Sequence, residues 1–253
     1  MSTEATPGPH WPAGFACVIL DEVDSTMAEA ARRAPTLRRP TWIMARRQTA
    51  GRGRRGRSWM GSSGNLAAPL IYKPNATPAE AALRSFLAAN ALFEALAIYV
   101  GRDKLSLKWP NDVLLNGGKV AGILLESSGT GASVDWLSIG MGVNLATVPA
   151  AIEGAAFPPV SLVGEGGQTV TPETFLSVLA SNFATQEAKL AAMGFERIRQ
   201  DWLRHAARIG EEITARTGRE DITGVFDAID SEGNLVLITA KGPRIIAAAD
   251  VYF

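Results

Sequence analysis

The sequence predicts an α+β fold: a mixed β-sheet packed with helices, followed by a small β-barrel-like appendage. Three observations carry that expectation. Short apolar runs alternate with well-capped helical stretches as far as about residue 206, and no internal repeat or low-complexity tract interrupts them. From about Arg208 the pattern changes to short strands joined by glycine-rich turns. A chain of 253 residues, 47% apolar and with 6 Trp, can bury a substantial core in one domain or two.

The elements follow in order. Residues 1–14 are expected to be disordered or extended, 15–207 to form the main domain and 208–253 the appendage. Phe15 to Val23 (FACVILDEV) is strand-like, and Asp24-Ser25-Thr26 offers side-chain oxygens to cap the helix MAEAARRA. Trp42 to Ala45 is a second strand leading into a glycine-arginine loop, and Asn65 to Tyr72 a third. Thr77-Pro78-Ala79-Glu80 is a capping box opening a long helix, with Leu83, Phe86, Phe93, Ala97 and Val100 on one face. Leu105 to Trp109, Val113 to Leu115, Lys119 to Glu126 and Trp136 to Leu145 complete the sheet. Ala146 to Gln168, rich in Ala, Pro and Gly, reads as a functional loop. Thr171-Pro172-Glu173 then starts a helix that ends near Gly194, and a second covers Phe195 to Ala206. Beyond it, EEITART, GVFDAID, NLVLIT and RIIAAADVYF read as strands.

Composition removes several function classes. The single Cys17 excludes an internal disulfide, and the two histidines, His10 and His205, are too far apart in sequence to suggest a zinc cluster. MSTEATPGPHWPAG lacks a basic start before an apolar core, and no stretch approaches the roughly 18 apolar residues of a membrane span, so a cytoplasmic location is expected. Net charge is +0, yet Ala30 to Ala79 holds no acidic residue against ten Arg and Lys73. Such a block suits a solvated surface, nucleic acid, a membrane surface or a small polyanion such as ATP. Gly51, Gly53, Gly56, Gly61 and Gly64 favour a loop that approaches phosphates.

Gly51-Arg52-Gly53-Arg54-Arg55-Gly56 has the spacing of a dinucleotide fingerprint, but neither the following helix nor an acidic residue about 20 positions on is present. Gly118-Lys119 is followed by Val120, which excludes a Walker-type loop. What remains is a cationic loop with one aromatic residue, Trp59.

The run Arg47 to Trp59 (RQTAGRGRRGRSW), then Lys108-Trp109-Pro110-Asn111-Asp112, Gly118 to Glu126 (GKVAGILLE) and Ile139 to Leu145 (IGMGVNL), resembles the biotin protein ligases. The resemblance is close over about Phe15 to Leu162, and it makes the appendage similar to that family's SH3-like domain on a class II synthetase-like catalytic fold. It implies the monofunctional class, without a DNA-binding domain. It also implies two steps: biotin and MgATP give biotinyl-5′-AMP and pyrophosphate, then a carrier lysine attacks the mixed anhydride. No protein nucleophile is needed, but fixed cations are.

The resemblance assigns the biotin ureido ring and carboxylate to Ser25, Thr26, Gln48, Gly51 and Arg52, with Gly53 and Arg54 continuing the loop. Ser25 and Thr26 also suit a helix cap. Met27 stands where the family commonly has Asn. Lys119 is expected as the main catalytic group, bridging carboxylate and α-phosphate, with Lys108 and Arg54 adding charge. Arg52, Arg54, Arg57, Trp59, Lys108, Asn111 and Asn144 are expected around the nucleotide, and Asp112 either ligates Mg²⁺ or orients Lys119. Residues 51–64 and 147–162 are expected to be mobile without ligand and to order over the adenylate. The implied partner is the biotin carboxyl carrier domain of a carboxylase, with the ligase a monomer or homodimer. A lipoate or octanoate ligase would share the fold but should show an Arg-Arg, triple-glycine and histidine motif that is missing here. A nucleic-acid module leaves KWPND and GGKVAGILLE unexplained, while a non-catalytic biotin-binding or scaffold protein is a third reading, separated from the others by biotin-dependent pyrophosphate release from ATP.

Overall fold

The computed structural model describes residues 3–4, 8, 11–57, 59, 63–130, 132–148 and 157–253. Parts of the expected N-terminal segment, His10, four residues of the glycine-arginine loop (58 and 60–62) and residues 149–156 of the second loop lie outside the described residues.

Eight strands form the main sheet, in the order β1-β2-β3-β4-β8-β7-β6-β5. They are β1 (Thr3–Glu4), β2 (Ala16–Val23), β3 (Thr41–Gln48), β4 (Leu66–Tyr72), β5 (Leu105–Lys108), β6 (Asp112–Leu115), β7 (Gly118–Ser128) and β8 (Trp136–Val143). Only β2 and β3 are parallel, which needs a crossover, and α1 (Thr26–Arg33) supplies it. Ser25 caps α1 by accepting a hydrogen bond from Ala28 N at 3.4 Å. Strand β3 pairs with β4 only at Thr41↔Ile71 and Trp42↔Leu70, then diverges. Pro69 therefore sits in a central strand without removing a ladder bond on that side, and a split opens at the end of β3.

The opposite face is covered by helices. The capping box of Thr77 and Glu80 forms, but the expected single helix is two, α2 (Pro78–Ala82) and α3 (Arg84–Leu96). Phe86 N bonds Leu83 O at 3.0 Å, a tightened turn that separates them. Helix α4 (Pro172–Leu203) is broken at Gly194, whose φ of 73° and ψ of 178° end the first arm where the sequence predicts it. Trp42 of β3 meets Phe183 of α4 edge-on at 6.1 Å, joining sheet to helix, and Phe86 of α3 meets Phe195 and Trp202 of α4 at 5.4 Å and 5.5 Å, joining the two helices. Among the described residues no helix is long and apolar enough to cross a membrane.

The C-terminal region is a five-stranded antiparallel sheet of β9 (Glu212–Arg216), β10 (Asp221–Ile229), β11 (Leu235–Thr239), β12 (Gly242–Ile246) and β13 (Asp250–Tyr252), in the order β12-β11-β10-β9-β13. RIIAAADVYF is not one strand, because β12 pairs with β11 and β13 with β9, at opposite edges. These two edges do not pair, so the sheet is compatible with an SH3-like fold without being a closed barrel. It is fastened to the end of β5 by Trp109 Nε1 donating to Gly233 O at 3.0 Å and to helix α4 by Arg199 Nη1 donating to Ile229 O at 2.6 Å.

Candidate active site

One transverse row of the large sheet carries the charged groups. Lys108 of β5 faces Asp112 of β6, Asp112 faces Gly122 of β7, and Gly122 faces Gly142 of β8. Opposed residues share a face, so two ionised side chains stand beside two positions of bare backbone. Lys119 joins the row through a bulge: Val113 pairs with Ala121 while Leu114 pairs with Lys119, leaving Val120 extra. In a regular strand Lys119 would share the face of Ala121 and Ile123, both buried in the core. The bulge turns it to the face of Gly122, where an added Cβ would lie 3.2 Å from Lys119 Nζ.

One carboxylate holds both lysines. Asp112 Oδ1 lies 2.6 Å from Lys119 Nζ and Oδ2 lies 3.6 Å from Lys108 Nζ. The shorter contact is off the hydrogen-bond direction, so among the described residues Oδ1 has no hydrogen-bond partner and the attraction is Coulombic. The Lys108 side chain is 6% exposed and that of Lys119 30%, so one ammonium is interior and the other opens to the crevice. Burial pushes Lys108 below the usual lysine range, and the Lys119 charge acts the same way, while Asp112 and Asp250 oppose it. The Phe157 ring centroid lies 4.8 Å from Lys108 Nζ, and the Trp59 ring 5.7 Å from Lys119 Nζ.

The glycine-arginine loop folds into a hairpin strap. Trp59 N donates to Gly51 O at 2.9 Å and Gly53 N to Arg57 O at 2.7 Å. Arg55 (φ 56°) and Gly56 (φ 71°) are both left-handed, as a two-residue type I′ turn requires. The strap lays Trp59 on the glycine floor: a Cβ on Gly142 would overlap the indole, and one on Gly122 would lie 3.3 Å from Trp59 Cζ3. Arg54 Nη1 donates to Asn111 Oδ1 at 2.9 Å, and Asn111 Nδ2 to Ile123 O at 2.7 Å. Burial lowers the Arg54 pKa from its ordinary value.

At the split beside β3, Gln48 Oε1 accepts from Thr26 N at 2.7 Å and Thr26 Oγ1 at 2.8 Å, and Ser25, Thr26 and Gln48 are all buried. Gly51 adjoins them, since a Cβ there would lie 2.8 Å from Gln48 Nε2. Met27 acts as an apolar filler: Ser138 Oγ is 3.5 Å from its sulfur, and a Cβ on Gly140 would lie 2.6 Å from it.

The structure thus brings together Lys108, Asp112, Lys119, Arg54, Asn111 and Trp59, with Ser25, Thr26, Gln48, Gly51 and Gly53 adjoining. Three further expected residues make contacts of their own. Arg57 Nη2 pairs with Asp250 Oδ2 of β13 at 3.1 Å, and Arg55 pairs with the same carboxylate. Asn144 is buried, and its Nδ2 donates to Val160 O at 3.0 Å, so it fastens the second loop. Arg52 lies 3.9 Å from Glu126, with its side chain 53% exposed. Asp112 directs one carboxylate oxygen at Lys119 and the other at Lys108. Among the described residues no group of three His, Cys, Asp or Glu could hold a metal. Sequence reasoning missed the floor of Gly122 and Gly142, which glycines inside strand patterns could have signalled. Phe157 and Asp250 left no local signal.

A model described as the biotin/lipoate A/B protein ligase family matches residues 18–144, and one described as the biotin protein ligase C terminal domain matches residues 209–253. A biotin–[acetyl-CoA-carboxylase] ligase of Paracoccus denitrificans is 51% identical over 238 residues, covering 93% of this chain and 99% of that protein. The bifunctional ligase/repressor BirA of Escherichia coli is 28% identical over 225 residues, covering 88% of this chain and 70% of its own length. The biotin protein ligase of Aquifex aeolicus in complex with biotin and ATP is similar at a TM-score of 0.77 and 25% identity, covering 93% of this chain and 97% of that one.

Proposed function

The chain belongs to the biotin protein ligase family, and from that premise we propose that it converts biotin and MgATP to biotinyl-5′-AMP and pyrophosphate, then biotinylates a lysine of a biotin carboxyl carrier domain. The observation that carries this reading is the pair Lys108 and Lys119, held by Asp112 beside a floor without side chains and under an arginine strap.

The first step sets a carboxylate against a triphosphate, two anions that repel. Lys119, Lys108 and Arg54 outnumber Asp112, so the crevice keeps a surplus of positive charge at fixed positions and in low dielectric. A biotin carboxylate oxygen bonds the α-phosphorus, the bond to the β-phosphate oxygen breaks, and pyrophosphate leaves with the electron pair. Lys119, the more exposed lysine, spans carboxylate and α-phosphate, while Lys108 and Arg54 face the phosphates. Magnesium enters as part of the MgATP substrate and neutralises phosphate charge. Ser25, Thr26, Gln48, Gly51, Arg52 and Gly53 surround the ureido ring and carboxylate, and Asn111 holds Arg54 in place. Trp59 keeps water from the anhydride. In the second step the carrier amine attacks the acyl carbon, loses a proton and releases AMP. The dependence on ATP supports a cytoplasmic location for the reaction.

The test is pyrophosphate release by the purified chain. Release that requires biotin, followed by labelling of a carboxylase carrier domain on lysine, is the expected result. Release with octanoate but not biotin, or none with either, would overturn the assignment.

A further inference from the structure

The second sheet reaches the lysine row by a route that the family motifs do not contain. Phe253, next to β13, meets Phe157 edge-on, with ring centroids 4.7 Å apart and planes at 69°. Phe157 in turn places its ring over Lys108 Nζ at 4.8 Å. The Arg208 guanidinium lies 5.4 Å from the Phe253 ring and is itself held by Glu211 at 2.6 Å. Phe253 is 45% exposed, so burial alone does not fix it there; its partners do.

Phe157 has room to leave. A cleft of about 430 Å³, lined by Ser106, Leu114, Gly117, Arg208 and the two phenylalanines, lies beside it. The edge contact with Phe253 borders that space. The neighbouring backbone is anchored, because Lys119 N donates to Pro158 O at 2.9 Å and Val160 N to Lys119 O at 3.0 Å. The ring therefore hangs from the strand segment that carries Lys119 and covers Lys108.

Resting on the ligase reading above, we propose that Phe157 and Phe253 are positioning residues for adenylate formation: Phe253, carried by the C-terminal sheet, holds the Phe157 ring on the Lys108 ammonium. The negative face of the ring favours the charged form of a lysine that burial disfavours. The charged groups that face Lys108 are Asp112 from β6, Lys119 from β7 and Asp250 from β13. Asp112 and Asp250 act in the same sense as the ring and Lys119 against it. Losing the ring face without admitting water lowers the pH at which Lys108 gives up its charge.

The experiment is single-turnover formation of biotinyl-5′-AMP across pH in the full chain and in Phe157→Leu, Phe157→Tyr, Phe253→Ala and the double variant Phe157→Leu/Phe253→Ala. Phe157→Leu keeps bulk but not the ring face. It is expected to lower the rate about fivefold, the size of a partly buried cation–π contact. Its alkaline limb should move to lower pH, with the biotin KM within about twofold. Phe157→Tyr should restore both rate and limb, Phe253→Ala should shift them in the same direction by less, and the double variant should be no worse than Phe157→Leu. Wild-type rates and limbs in Phe157→Leu and Phe253→Ala would overturn the inference while leaving the ligase reading intact, as would losses that multiply in the double variant. Should Phe253→Ala fail to fold, Phe253→Leu replaces it under the same criteria. A wild-type chain that forms no adenylate overturns both.

Discussion

Asp112 sets the behaviour of the residues around it. Its two oxygens face Lys119 and Lys108, so the Asp112→Asn change leaves two ammonium groups unneutralised, one of them interior. We expect stability to fall by about 2 kcal/mol, read from the denaturant midpoint, below the range for a fully buried pair because Lys119 is partly exposed. Adenylate formation should fall about a hundredfold, as expected when a fixed charge loses its orientation. Lys108 gives the pH dependence. Burial depresses its pKa, so its positive charge persists below the shifted value and is lost as pH rises through it. Adenylate formation should therefore show an alkaline limb below the ordinary lysine range. Lys108→Arg, which stays charged, should move that limb upward in a pH–rate profile; a limb that does not respond to this change belongs to another group.

At the level of elements, the glycine floor and the strap form a matched pair. A Cβ on Gly142 would meet the Trp59 indole, and the flanking strands leave it nowhere to move. Gly142→Ala should lift the strap, slow adenylate formation about tenfold through an overpacking penalty of about 1–2 kcal/mol, and speed tryptic cleavage at Arg55 and Arg57. Features set by neighbours in the chain were legible from the sequence: the Ser25 cap, the Thr77–Glu80 box and the break at Gly194 each form where local chemistry dictates. The Lys119 and Lys108 motifs were legible for the same reason. Features set by distant partners were not. The extra Val120 that turns Lys119 to the crevice exists only in register with β6. The split of RIIAAADVYF between opposite edges depends on β9 and β11. The pairing of Arg57 depends likewise on a distant partner, the Asp250 carboxylate in β13.

In the whole molecule, the two sheets meet at the strap. Asp250 of β13 pairs with Arg55 and Arg57 across the junction, while Trp109 beside β5 and Arg199 of α4 hold the second sheet elsewhere. Because the two arginines are about half exposed, these ion pairs contribute little to global stability, less than about 1 kcal/mol. Asp250→Ala should leave the thermal midpoint nearly unchanged while making the strap more sensitive to trypsin. Equal strap protection in both forms would show that the hairpin holds itself.

The account turns on Lys119 as the group that lets carboxylate and α-phosphate meet, and single-turnover formation of biotinyl-5′-AMP at saturating biotin measures it most directly. The prediction is a loss of about a thousandfold in Lys119→Ala, roughly 4 kcal/mol of transition-state stabilisation, with biotin still bound within a few-fold of wild type. An alanine variant that forms the adenylate at close to the wild-type rate would contradict it.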